Sequence, residues 1–185
     1  MNEIYTPEQL ISYMNSNIEY GYIGKNNHKK YYYNDINFNV DWFDEYYLQS
    51  PEEIINNRIG VCWDKVEFER EWFEKKKYEF KTIFICFDLK EENNFPSHTF
   101  LTFKKKKKWY WFEESWDTYK GIYEYNSLKE LIKDVLEKHF IFSKKKFGAE
   151  DAHKNYLRYA VYEKPKHGLS PMEFCKFALQ NKKRL

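Results

Sequence analysis

With 185 residues, the chain is long enough for one domain with a sizeable core. Its 31 Lys plus Arg against 29 Asp plus Glu leave a net charge of +2, which argues against a dedicated nucleic-acid-binding protein. No apolar run approaches the length of a membrane span, and the first seven residues lack the basic-then-apolar order of a signal peptide.

Thr6-Pro-Glu-Gln9 is a helix start, with Thr as N-cap, Pro at N1 and Gln at N3. That helix should run to about Ile18 with Leu10, Ile11 and Met14 inward. Residues 20–39 are rich in Tyr, Asn and Gly and read as loop. Tyr31 to Tyr33 within it either line a groove or, as aromatics more often do, pack as a buried cluster. Ser50-Pro-Glu-Glu53 starts a second, short helix ending near Asn57. A glycine turn follows in Arg58-Ile-Gly-Val-Cys-Trp-Asp64, and the run from Cys62 to Phe73 reads as a long helix. A strand is expected over about 81–87 and a polar loop over 91–96. Pro96-Ser-His-Thr-Phe-Leu-Thr-Phe103 and Trp109-Tyr-Trp-Phe-Glu-Glu114 are aromatic and β-branched, as strands are. Lys104 to Lys108 lies between them as a solvated hairpin tip. Gly121 to Tyr125 is a further short strand. Asn126 or Ser127 caps a helix in which Leu128, Leu131, Ile132, Val135 and Leu136 recur at helical spacing. Residues 143–150 read as a basic loop, 156–163 as a strand, and Ser170-Pro-Met-Glu173 as the start of a last helix. The order is α+β, with helices around a central antiparallel sheet. No linker divides the chain, so residues 1–185 are expected to form a single domain.

Chemistry concentrates in three residues. Cys62 opens a helix, where the positive end of the helix dipole favours a thiolate. His98 and Glu113 lie on the two strands of the hairpin. A two-residue turn centred on Lys105 and Lys106 puts His98 directly across from Glu113, with Cβ atoms about 5 Å apart. A three-residue turn pairs His98 with Glu114 instead, and a one-residue slip exchanges the faces. Asp117, four residues past Glu113, is a rival acid that reads as a local turn residue.

Gly-Val-Cys at a helix start, His-Thr-Phe on a strand and Trp-Tyr-Trp-Phe-Glu on the next resemble the transglutaminase-like superfamily of papain-like cysteine enzymes. The resemblance covers roughly residues 51–126. It implies a papain-like arrangement in which the nucleophile helix packs on the central antiparallel sheet. It also implies a Cys-His-Glu triad: Cys62 as nucleophile, His98 as base and Glu113 as third member. The chain departs from the usual pattern in having Glu where Asp is common, and Glu114-Ser115 where Pro-Thr often follows. The activity implied is cysteine-dependent acyl transfer on peptide or side-chain amide carbonyls, ending in hydrolysis (peptidase or deamidase) or transamidation. The alternative is a catalytically inactive papain-like binding or scaffold module.

Three cysteines at irregular spacing form no disulfide framework, so a reducing cytoplasm is expected. Cys86 and Cys175 read as inert thiols. No Cys-x-x-Cys spacing supports a structural zinc site, and neither cofactor nor metal is expected. The expected partner is a protein or peptide substrate, with no nucleic acid and no membrane. Besides the Cys62 N–H, an upstream oxyanion donor is needed, with Trp42, Asn56 and Asn57 as candidates.

Overall fold

The computed structural model describes residues 3–24, 27–89 and 95–183. Most of the expected polar loop at 91–96 lies outside these residues. Helix α1 (Pro7–Asn17) starts where the capping signals place it, with a reciprocal box between Thr6 and Gln9. Helix α3 (Pro51–Asn57) repeats the device with Ser50 and Glu53.

Residues 20–39 depart from the loop expectation. They contain β1 (Glu19–Ile23), β2 (Lys29–Tyr31) and the start of helix α2 (Phe38–Glu45). Strand β1 lies between β2 and β3 (Ile59–Gly60), antiparallel to the first and parallel to the second. Gly21 permits this: a Cβ there would sit 2.2 Å from the Lys30 carbonyl oxygen. The pairing sets Tyr20 beside Gly60, two residues before the start of helix α4 (Cys62–Lys75). The short strand is held by a partner far along the chain, which local composition does not announce.

The main sheet is antiparallel, in the order β7-β6-β5-β4-β8. Its strands are β4 (Glu79–Phe87), β5 (His98–Lys105), β6 (Lys108–Glu113), β7 (Gly121–Tyr125) and β8 (Leu157–Tyr162). On one face Leu101, Phe103 and Phe112 pack against Phe68, Trp72 and Phe73 of α4 and Leu10 and Met14 of α1. On the other, Ile83, Ile85, Phe100 and Trp111 meet Leu131, Ile132, Val135 and Leu136 of α5 (Leu128–Phe147). Helix α6 (Pro171–Ala178) brings Phe174 against Trp63 and Phe84.

Helix α5 absorbs part of the expected basic loop at 143–150. Lys144, Lys145 and Lys146 form its last turn, where cations complement the negative end of the dipole, and Gly148 terminates it in the left-handed region at φ 71°. The hairpin register also differs from expectation. Lys105 pairs with Lys108 and Leu101 with Phe112, so Lys106 and Lys107 form the tip. A shift of two residues keeps every side chain on its face, so alternation cannot distinguish the two registers. Five lysines in a row carry no Gly or Asn to mark the turn, and Lys106 itself takes the left-handed conformation at φ 58°.

Candidate active site

Extending the observed register by one residue sets Glu113 across from Phe100, which makes His98 the diagonal neighbour of Glu113. Such neighbours stand further apart than direct partners but within reach of long side chains. The Glu113 carboxylate spans the offset: its Oε2 lies 2.7 Å from His98 Nε2 and also accepts from the Trp111 indole at 3.2 Å. Its Oε1 accepts the Ser115 and Trp116 N–H groups, each at 2.8 Å. Four N–H donors therefore fix this buried acid. Because Nε2 donates to Glu113, the neutral ring carries its proton there and leaves Nδ1 for the thiol.

Cys62 stands at the first position of α4 and is buried. Burial pushes its thiol up, but hydrogen bonding and charge from His98, with the Thr99 N–H, more than offset this and leave it lowered. Burial pulls the His98 ring down, and Glu113 together with Cys62 reverses that, raising it to about 10. The two shifts favour a thiolate–imidazolium pair around neutral pH. Cys86 and Cys175 are both pushed up to about 12, chiefly by burial.

Cys62 and His98 line one wall of a cleft of about 570 Å³ with largely aromatic sides, and Glu113 is buried behind His98. Tyr20, Tyr32, Tyr33 and Trp42 come from the N-terminal part, Trp116 from the segment after β6, and Phe142 and His139 from α5. Of the tyrosines expected to pack as a buried cluster, Tyr33 is 69% exposed and Tyr32 41%. The Tyr33 hydroxyl donates to Asp117. Asp117 also pairs with Lys120 at 3.1 Å and stays away from His98 as an exposed turn residue. His139 is buried with Nε2 3.0 Å from the Pro96 carbonyl. Burial, then the nearby His98 charge, lowers it to about 3, so it remains a neutral donor that braces the segment before His98.

Glu114 points to the opposite face of the sheet, where it forms a buried ion pair with Lys65 of α4 at 2.8 Å. Lys65 also donates to the Ile18 carbonyl at 3.2 Å. Beside them Glu69 is buried with Oε2 unpartnered, and burial plus the neighbouring Glu113 and Glu114 raise its carboxyl strongly. Asp64 is raised to about 7 by burial while it accepts from Tyr46, Gln49 N–H and Val61 N–H, tying the start of α4 to the preceding segment. None of these α4 partners is signalled by spacing in the sequence. Lys65→Met should destabilise the fold by about 3 kcal/mol at pH 7, because it leaves the buried Glu114 charge to the longer Lys120 contact at 3.7 Å. Glu114 already sits above its ordinary range through burial, with Lys65 opposing that rise. A carboxyl raised in the folded state is stabilising below its unfolded value and loses that contribution as pH rises through the folded one. The Lys65→Met deficit should therefore shrink from pH 7 to pH 5 in denaturant titrations, and a constant deficit would contradict this account.

Of the upstream candidates for an oxyanion donor, Asn57 is bonded to Gln49 at 2.8 Å and Asn56 is exposed. Trp42 stacks on Tyr46 with ring centroids 3.9 Å apart. Among the described residues, no group of His, Cys, Asp and Glu suited to holding a metal ion is found. No described helix is long and apolar enough to cross a membrane.

No curated protein is similar enough to the chain to register as a match. Residues 1–107 match a family model described as a transglutaminase-like domain. The match spans more than half of the 185 residues, takes in Cys62 and His98, and stops before Glu113. On that match the chain belongs to the transglutaminase-like domain family.

Proposed function

We propose that the protein is a cysteine-dependent acyl-transfer enzyme acting on peptide or side-chain amide carbonyls, with residues 1–185 working as one papain-like domain. The observation that carries this reading is the chain of contacts from the Cys62 thiol through His98 to the fourfold-bonded Glu113, at the wall of an open cleft. The Cys62 thiolate attacks the carbonyl carbon, and the C=O electrons move to oxygen. Collapse breaks the C–N bond, and His98 Nδ1 delivers the proton to the departing amine. The thioester then passes to water or to an amine, with His98 taking the incoming nucleophile's proton and the thiol reforming. Water as acceptor makes a peptidase or deamidase, and an amine makes a transglutaminase. Glu113 holds the ring tautomer and balances the imidazolium. An aromatic cleft suits a protein or peptide substrate. The three unpaired cysteines fit a reducing cytoplasm.

Iodoacetamide alkylation followed by peptide mapping tests the first requirement. Cys62 should label at pH 6, where Cys86 and Cys175 stay inert. Its rate should fall at acid pH as the thiolate is protonated. A second change is expected near pH 10, where His98 gives up its proton. Because the two groups titrate together, both limbs belong to the pair. Preferential labelling of Cys86 or Cys175 would overturn the assignment. Normal Cys62 labelling without transfer from any acyl donor would favour a binding module.

A further inference from the structure

The proposed chemistry needs two donors around the oxyanion, and the Cys62 N–H at the start of α4 supplies only one. We infer that the Tyr20 hydroxyl is the second donor, which makes Tyr20 a catalytic residue of the acyl-transfer reaction. The inference rests on the Cys-His-Glu reading above.

Placement comes first. Strand β1 is parallel to β3 and pairs Tyr20 with Gly60, two residues before Cys62, and both Tyr20 and Cys62 line the cleft. Beyond burial, the Cys62 thiol raises the phenol by charge and hydrogen bonding while the Cys62 N–H opposes that rise, so the hydroxyl faces both. It thus lies beside the nucleophilic sulfur and the other oxyanion donor at once. The ring is held from several sides. The Lys65 ammonium lies over it at 5.5 Å, and Tyr32 meets it edge-on at 5.8 Å. Lys65 is itself anchored by Glu114, so the buried ion pair supports the tyrosine from beneath.

The chemistry follows the charge. In the resting site the negative charge is on sulfur, and the Tyr20 proton points there. As the C–S bond forms, that charge moves to the substrate oxygen. The substrate oxygen takes the Cys62 N–H from the hydroxyl oxygen, and the phenol proton rotates about its C–O bond to follow the charge. No proton is transferred: burial, then Cys62, raises the phenol well above 10, so it remains a donor throughout.

Tyr20→Phe removes the hydroxyl and keeps the ring on Lys65 and Tyr32. Two probes separate its roles. Iodoacetamide alkylates by direct displacement and forms no oxyanion, whereas p-nitrophenyl acetate acylates Cys62 through a tetrahedral oxyanion. Rates are compared at the plateau of each pH profile, so that a changed thiol pKa does not enter. The expected result is a fall of about 10²–10³-fold in p-nitrophenolate release, with alkylation changed only a few-fold. Equal falls in both rates would make Tyr20 a stabiliser of the thiolate only. Unchanged or faster acylation would make the hydroxyl a bystander or an obstruction. Each of these overturns the inference while leaving the Cys62 reading intact. Wild-type protein that alkylates at Cys62 but never acylates would instead remove the acyl-transfer reading itself, and the role of Tyr20 with it.

Discussion

Cys62→Ala should reduce acyl transfer to background, a loss on the order of 10⁶-fold, as when the nucleophile of a triad is removed. The protein should remain folded. The side chain is small, and its loss from a buried site costs about 1 kcal/mol, or 2–4 °C in thermal midpoint for a chain of this size. The pH dependence of stability should change as well. His98 is raised to about 10 partly by Cys62. A raised histidine contributes stability that is complete below its unfolded pKa and is lost as pH rises through the folded value. Without the thiolate the folded value drops, so wild-type and variant midpoints should differ most around neutral pH and converge both towards pH 10, where His98 gives up its proton, and at acid pH, where the Cys62 thiolate is protonated. A collapsed circular dichroism spectrum for Cys62→Ala would mark the thiol as structural.

Glu113→Gln should lower turnover by about four orders of magnitude, for a reason visible in the hydrogen bonds. Four N–H groups aim at the two carboxylate oxygens, and an amide offers only one oxygen. The Ser115 and Trp116 N–H groups are backbone and cannot turn away, so they claim that oxygen. The amide NH₂ then faces His98 Nε2 and the Trp111 indole. To accept from it, His98 must move its proton to Nδ1, where the thiol needs a base. Trp111 is left facing another donor, which costs a further ~1–3 kcal/mol of stability. Glu114→Gln and Asp117→Asn leave the His98 contacts untouched and should affect turnover far less. Steady-state kinetics on a working substrate would decide the matter. A crippled Asp117→Asn enzyme would mean that a different acid orients the histidine.

Local signals made much of the scaffold legible. Thr6 with Gln9 and Ser50 with Glu53 are self-contained capping devices, and both helices begin where those pairs predict. The strand at Gly121–Tyr125 and the start of α4 at Cys62 likewise carry their own punctuation. What stayed hidden depends on distant partners. Strand β1 pairs with the nearby β2 and with the distant residues 59–60, and the second pairing brings Tyr20 towards Cys62. Helix α4 carries Asp64, Lys65, Glu67, Glu69 and Arg70, and all five are buried. Glu67 and Arg70 pair with each other within the helix, but the further partners Tyr46 of Asp64, Glu114 of Lys65, Thr82 of Arg70 and Tyr162 of Glu67 come from elsewhere in the chain. The alternation that placed His98 and Glu113 on one face survives a two-residue register shift, so the face was readable and the directly opposed pairing was not.

The histidine and its acid share a hairpin, whereas the cysteine reaches them only when α4 docks across β5. A nascent or partly unfolded chain therefore carries an ordinary thiol, with the free-cysteine value of about 8.5, and no aggressive nucleophile. The hazard of an activated sulfur is confined to molecules that have finished folding. Slow alkylation at mildly acidic pH then becomes a census: the labelled fraction of Cys62 counts native molecules, and its decline under denaturant should trace the global transition rather than the melting of any single strand.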